Sequence, residues 1–270
     1  MKIQKLMRFG EQEVKLLFAL EQEKSFIFTI AQARNALGTT DASVKNVLSR
    51  LKRKRRVIPL QRGVYLFAPL KSGQEGQWTE NAFSVVPYLV GTGKYYIGFA
   101  AAMNYWGMTE QLPLTVGIAM ERQKKPLSAV QSKFVFVTKK RLGDYEKISI
   151  AGIDVNISSV EQTVLDALAF PEYCNGIEGA AKAVWSARNS IDWGKFSSLA
   201  KAGKSAVRQR LGYLLELLGL EKQAKKVEGK FAGVSWLAPN AQKAEFQYSK
   251  RWGLKINLKK KDVLEFQRGY

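Results

Sequence analysis

Apolar residues recur at helical spacing three times within the first fifty-odd positions before the pattern changes. Val14, Leu17 and Phe18 stand at i, i+3, i+4, which predicts a first helix over 11–21 with these side chains turned inward. Thr29 followed three residues later by Gln32 is the spacing of a capping box, so a second helix starts there and stops at Gly38, burying Ile30, Ala33 and Leu37. A third helix begins after Thr39-Thr40 and buries Val44, Val47, Leu48 and Leu51. Two short β-branched and aromatic runs follow, Val57-Ile-Pro-Leu60 and Val64-Tyr-Leu-Phe67, joined at Gln61-Arg62-Gly63 as in a β-hairpin. Helix, helix, helix and hairpin in this order predict a winged helix-turn-helix domain over residues 1–70.

Beyond it, Lys71-Ser-Gly-Gln-Glu-Gly-Gln77 is polar, contains glycine and follows Pro69, the composition of a linker. Residues 78–270 read as a larger mixed α/β domain. The stretch Tyr95–Met108 enters extended and turns into a helix ended by Gly107, and the runs Leu114–Met120, Phe134–Val137, Lys147–Ile150 and Ile153–Ile157 predict an antiparallel sheet. Ser158-Ser-Val-Glu161 has capping-box spacing ahead of a helix over 160–168, and further helices are expected at about 177–188, 192–201, 205–218 and 220–227. Helices gathered after strands place the chain in the α+β class.

Charge sharpens this picture. The 270 residues carry 43 Lys and Arg against 23 Asp and Glu, a formal +20 that attracts polyanions. The excess is uneven: residues 1–70 hold 14 basic and 5 acidic side chains, 71–190 hold 12 and 11, and 191–270 hold 17 and 7. On the third helix the face opposite the apolar stripe displays Lys45, Asn46, Ser49, Arg50 and Arg53, cations with an amide and a hydroxyl that suit base edges and phosphates in a major groove. Arg62 sits at the hairpin turn, within reach of phosphate. Promoter DNA is the expected partner. The plainer alternative is a solvated basic helix end beside an ordinary hairpin.

Absences exclude other chemistry. With no His and one Cys, neither the usual zinc sites nor histidine-based nucleophile systems can be assembled, so no metal or cofactor is expected. Cys174 has no disulfide partner in the chain and reads as structural. The longest membrane-like stretch, Tyr95 to Met108, is shorter than the roughly 20 residues a spanning helix needs, and no secretory signal is visible, so no membrane association and a cytoplasmic location are expected. Glu228-Gly-Lys230 with Asp192 upstream has the shape of a metal-dependent nuclease motif, but it lies in a Lys-rich helix end without the several convergent carboxylates such a site needs. Lys204, Arg208 and Arg210 border an apolar ridge of Val207, Leu211, Leu214 and Leu218, and are either its solvated edge or, with Lys222, Lys225 and Lys226, a basic patch for an acidic ligand.

The stretch Ile157-Ser-Ser-Val-Glu-Gln-Thr-Val-Leu-Asp-Ala-Leu168, followed by Phe170-Pro-Glu-Tyr-Cys-Asn-Gly176, resembles a signature of AbiEi-type antitoxins of type IV abortive-infection systems. The segments Tyr95–Glu110, Arg210–Gly219 and Trp252–Asn257 are similar to further landmarks of that family, in the same order; Gly98 and Tyr105 depart from its more polar pattern. The resemblance implies an N-terminal winged helix that represses its own promoter and a C-terminal domain that neutralises a cognate nucleotidyltransferase toxin, with no enzymatic activity of its own. The competing reading is a winged-helix regulator whose C-terminal domain senses a small molecule, which calls for an apolar pocket with a few convergent polar groups.

Overall fold

The structure, a computed structural model, describes residues 8–23, 26–68, 82–150, 152–241 and 245–269. Among the described residues, eleven α-helices and three β-sheets make a mixed α+β fold. By its contacts the chain divides into two compact units: residues 1–92 with segments 127–133 and 150–154, and residues 93–126, 134–149 and 155–270. The expected linker over 71–77 lies outside the described residues.

The first unit runs α1 (Glu11–Gln22), β1 (Ile27–Thr29), α2 (Ile30–Leu37), α3 (Asp41–Arg53), β2 (Val57–Gln61), β3 (Val64–Phe67) and a short α4 (Val86–Val90). Thr29 caps α2 as its spacing requires, accepting the Gln32 N–H at 3.2 Å while Gln32 Oε1 accepts the Thr29 N–H at 2.8 Å. Thr40 caps α3 by accepting the Ser43 N–H. Val44, Val47, Leu48 and Leu51 are buried from α3 and pack with Ala33, Leu37 and Phe28. Gln61 still pairs with Val64, so only Arg62 and Gly63 form the turn; Gly63 takes φ 77°, a conformation any side chain would strain. Unforeseen is β1, three residues that pair antiparallel with β3 and give the sheet order β1-β3-β2.

The phase of α1 corrects the expectation. Glu13, Leu16, Leu17 and Leu20 are buried, whereas Phe18 is 60% exposed. The helix is rotated because Glu13 turns its carboxylate inward: Oε2 accepts the Gly10 N–H at 2.7 Å and Lys54 Nζ at 2.5 Å. A carboxylate answered this way can occupy an apolar stripe.

Next along the chain come β4 (Tyr95–Gly98), α5 (Phe99–Tyr105), β5 (Thr115–Met120), β6 (Leu127–Ala129), β7 (Ser132–Thr138), β8 (Tyr145–Ile150) and β9 (Ile153–Ser158); β6 falls in the first unit's segment 127–133, and the second unit holds the strand order β7-β5-β4-β9-β8. The sheet is mixed rather than antiparallel. β4 pairs antiparallel with β5 but parallel with β9, Ile97 opposite Ile157, because the chain visits four other strands before it returns to β4's free side.

After the sheet come α6 (Val160–Ala169), α7 (Gly176–Ala187), α8 (Trp193–Ala202), α9 (Ser205–Leu217) and α10 (Glu221–Val227), then β10 (Ser235–Trp236), β11 (Gln247–Ser249), β12 (Leu254–Ile256) and α11 (Lys260–Val263). The last three strands form a small sheet ordered β10-β12-β11. α6 is buried on nearly every side, in contact with α5, α7, α8 and α9. Its cap is Ser159, accepting the Gln162 N–H, not Ser158 with Glu161, since β9 continues through Ser158. Glu161 instead accepts the Asp192 N–H at 2.9 Å.

The four segments singled out by the resemblance meet in this unit's core. Tyr96 Oη donates to Asp166 at 2.6 Å, Trp106 Nε1 to the Ser158 carbonyl at 2.8 Å, and Arg210 to the Leu168 carbonyl at 2.7 Å. Gly212 lies so close to Trp252 that a Cβ there would be 2.0 Å from the indole ring.

Candidate nucleic-acid interface

Burying the stripe of α3 leaves its opposite face to solvent. Lys45, Asn46, Ser49, Arg50 and Arg53 are all exposed, and so is Arg62 in the hairpin turn. Five side chains on one helix face supply four kinds of donor: the fork of Arg for guanine, the amide of Asn46 for adenine, and ammonium and hydroxyl groups for phosphate.

One of these groups is restrained from beneath. Arg50 Nε lies 3.4 Å from Oε1 of the buried Glu13, while Lys54, the C-cap residue of α3, hydrogen-bonds the other carboxylate oxygen and the Arg8 carbonyl at 2.7 Å. Burial works to raise the Glu13 pKa, but the Lys54 and Gly10 hydrogen bonds and the Lys54 and Arg50 charges outweigh it and hold the carboxyl below its ordinary value. The anion therefore persists at neutral pH and ties α1 to the last turns of α3. The pair engages Arg50 through Nε, and its side chain remains about half exposed.

The second group of cations is less uniform than its sequence suggests. Lys204, Lys222, Lys225 and Lys226 are exposed. Arg208 is half-buried, stacked 4.7 Å over the Phe231 ring and donating to the Lys230 carbonyl. Arg210 is no surface cation: it is buried and donates to the Trp236 carbonyl at 2.9 Å and the Leu168 carbonyl, and burial lowers its pKa. The signal was present in the spacing, for Arg210 stands with Val207, Leu211 and Leu214 at i, i+3, i+4, i+7, on the apolar ridge and not beside it.

The residues of the nuclease-like motif have other occupations. Glu228 takes a forked pair of hydrogen bonds from Arg251, both 3.1 Å, and Asp192 caps α8 by accepting the Gly194 and Lys195 N–H groups. Among the described residues no three His, Cys, Asp or Glu side chains gather in a group that could hold a metal ion.

A buried polar cluster escaped the sequence reading. Asp166 accepts from Tyr96, from Lys139 at 2.6 Å and from Gln162 at 2.8 Å, and Lys139 also reaches Tyr96 Oη at 2.5 Å. Burial and the Asp166 charge push the Tyr96 phenol far above its ordinary pKa, so it remains a donor. The signal was Gln162 and Asp166 at i, i+4, on one face of the helix. Cys174 is also buried, and burial raises its thiol pKa well above the ordinary value.

No family model matches the chain, and no curated protein matches it. Among solved structures, the RV2827C protein from Mycobacterium tuberculosis is similar over 97% of this chain and 96% of its own, with a TM-score of 0.69 and 13% identity. At that identity the likeness concerns the fold. No helix among the described residues is long and apolar enough to cross a membrane.

Proposed function

We propose that this chain is a DNA-binding repressor of its own promoter and the antitoxin to a nucleotidyltransferase toxin. In this reading the first unit is a winged helix-turn-helix, α3 is its recognition helix and the β2–β3 hairpin its wing. The observation that carries the DNA half is the exposed row Lys45, Asn46, Ser49, Arg50 and Arg53 on α3, together with Arg62 in the hairpin turn, on a unit whose residues 1–70 carry 14 cations against 5 acids. Major-groove recognition takes a helix with such side chains near the base edges and further cations on the backbone. The antitoxin half is supported by the sequence resemblance, whose four segments share one core. In this reading the chain is not itself an enzyme and works in the cytoplasm.

The test is duplex DNA carrying the chain's own promoter, titrated with full-length protein across a salt series. Each phosphate contact contributes a slope of about −0.9 in log K against log salt. Arg50→Ala is expected to cost about 1–3 kcal/mol and to relax preference at one base pair, whereas Arg62→Ala weakens all sequences alike. A salt-independent affinity, or promoter binding untouched by both substitutions, overturns the assignment. For the second half, full-length protein is co-expressed with the nucleotidyltransferase encoded beside it, and failure to rescue growth removes the antitoxin reading while leaving the DNA reading standing.

A further inference from the structure

The small sheet β10-β12-β11 has two unlike faces. Leu254 is fully buried, and the register sets Ser235 and Ser249 opposite it. One position along, each strand turns its side chain the other way, and the resulting row is Trp236, Lys255 and Tyr248, with Lys255 the cross-strand partner of both aromatics. Phe246 extends the row: its ring centroid lies 5.3 Å from that of Trp236, and Lys255 Nζ sits 5.1 Å from the Trp236 centroid and 4.9 Å from that of Phe246. Tyr248 is 51% exposed and Phe246 47%. This outward face of contiguous aromatic side chains has an ammonium group at its centre.

The face is held from behind by buried polar side chains of α9. Gln209 donates to the Gly233 and Gly253 carbonyls at 2.9 and 3.1 Å and accepts from Ser235 Oγ at 2.7 Å, while Arg210 donates to the carbonyl of Trp236 itself. Asn257 bridges both backbone groups of Ala238, at 3.0 and 2.8 Å. These clamps fix two- and three-residue strands that their own ladders would hold weakly, so the aromatic row is preorganised. The surrounding sequence is strongly cationic: residues 245–261 contain six Lys and Arg and a single acid, Glu245.

We infer that this face binds single-stranded nucleic acid, with bases stacking on Tyr248, Phe246 and Trp236 and phosphates meeting Lys255 and neighbouring cations. Three arguments select that occupant. Stacking surfaces interleaved with cations are what a strand with free base faces and a charged backbone requires. A duplex hides its base faces, so it could use the cations but not the rings. A protein partner would bury Lys255 at the middle of its contact, where lysine is disfavoured. The inference is independent of the α3 surface.

The experiment uses the full chain and a fluorescein-labelled oligothymidine of roughly a dozen residues, read by anisotropy across a salt series. Binding is expected to weaken by roughly 5- to 150-fold in Tyr248→Ala and in Phe246→Ala, the loss of one stacked base each. Tyr248→Phe keeps the ring and retains affinity, and the double variant K45A/R53A binds the oligomer like the parent. Because Tyr248 and Phe246 are about half exposed, their truncation leaves the fold intact, and an unchanged urea midpoint of each alanine variant, followed by tryptophan fluorescence, checks this. Absence of oligomer binding overturns the inference, as does wild-type affinity in both alanine variants. Loss of oligomer binding in K45A/R53A also overturns it, since the strand would then lie on α3. Loss of toxin neutralisation by Tyr248→Ala without any oligomer binding makes the face a protein-docking surface, which is equally an overturning result.

Discussion

Glu13→Gln tests the link between α1 and the proposed reading helix, because it removes one charge and little volume. Glu13 is 1% exposed, with hydrogen bonds from Lys54 at 2.5 Å and Gly10 at 2.7 Å to one oxygen, while Arg50 Nε stands 3.4 Å from the other as an ion pair. Both close donors meet the same oxygen, so the Gln amide oxygen can keep both, but the Lys54 bond loses its anionic acceptor and the buried amide NH2 takes the place of Oε1 beside the Arg50 guanidinium, a loss of about 1.5–3 kcal/mol in all. The Arg50 pair is half exposed and adds about 0–1 kcal/mol. An expected loss of about 2–3 kcal/mol corresponds to roughly 30- to 150-fold faster amide exchange where α1 and α3 open together. Hydrogen–deuterium exchange is the suitable assay, since none of the six tryptophans lies within residues 8–68 and fluorescence would miss this unit. The sign with pH follows from the carboxyl being held below its ordinary value of 4.5. Its stabilisation is fully present above that value and disappears as pH falls through the lower folded value, so the difference between parent and variant should close from about pH 5 downward. Equal exchange of parent and Glu13→Gln in α1 and α3 at neutral pH, or parallel pH profiles, would refute the reasoning.

Two further expectations concern the second unit. Lys139→Met removes two hydrogen bonds and leaves the 1%-exposed Asp166 carboxylate without its cation, so a loss of about 3–5 kcal/mol is expected in a urea melt followed by tryptophan fluorescence; a shift below about 1 kcal/mol would show that the cluster does not depend on the ion pair. Gly212→Ala forces a Cβ to within 2.0 Å of the Trp252 ring, so displacement of that indole should cost about 1–3 kcal/mol or more and alter near-ultraviolet circular dichroism, whereas an unchanged spectrum and midpoint would mean that α9 and Trp252 are not so closely packed.

How much of this was legible in the residues varies with how local the cause is. The start and stop of α2 were readable because Thr29, Gln32 and Gly38 act within one helix turn of the ends they define. The phase of α1 was not, because the residue that turns it, Glu13, is answered by Lys54 from 41 positions away. The spacing of Val14, Leu17 and Phe18 placed Phe18 in the core, whereas the Glu13 carboxylate had a partner to follow inward. The mixed sheet failed for a similar reason. β5, β7, β8 and β9 are each visible by composition, but the parallel contact between Ile97 and Ile157 is a property of chain order in space that no strand carries in its own side chains.

The α3 face and the β10-β12-β11 face differ in legibility for a physical reason. On a thirteen-residue helix the outward set is the complement of the buried set, so recognising Val44, Val47, Leu48 and Leu51 already names Lys45, Asn46, Ser49, Arg50 and Arg53. Strands of two and three residues show no period, and their shared face arises only when Trp236, Lys255 and Tyr248, separated by up to nineteen positions, come into register. Counting charge along the chain misled in the same region, because it gave Arg210 to the surface. There the cation is inside, fixing the carbonyl of Trp236, and its effect on any ligand of that face passes through the strand it holds. The charge of a basic segment therefore sets which class of partner is attracted, while the few cations taken up internally, Lys54 with Glu13 and Arg210 with two carbonyls, set where the remaining side chains are aimed.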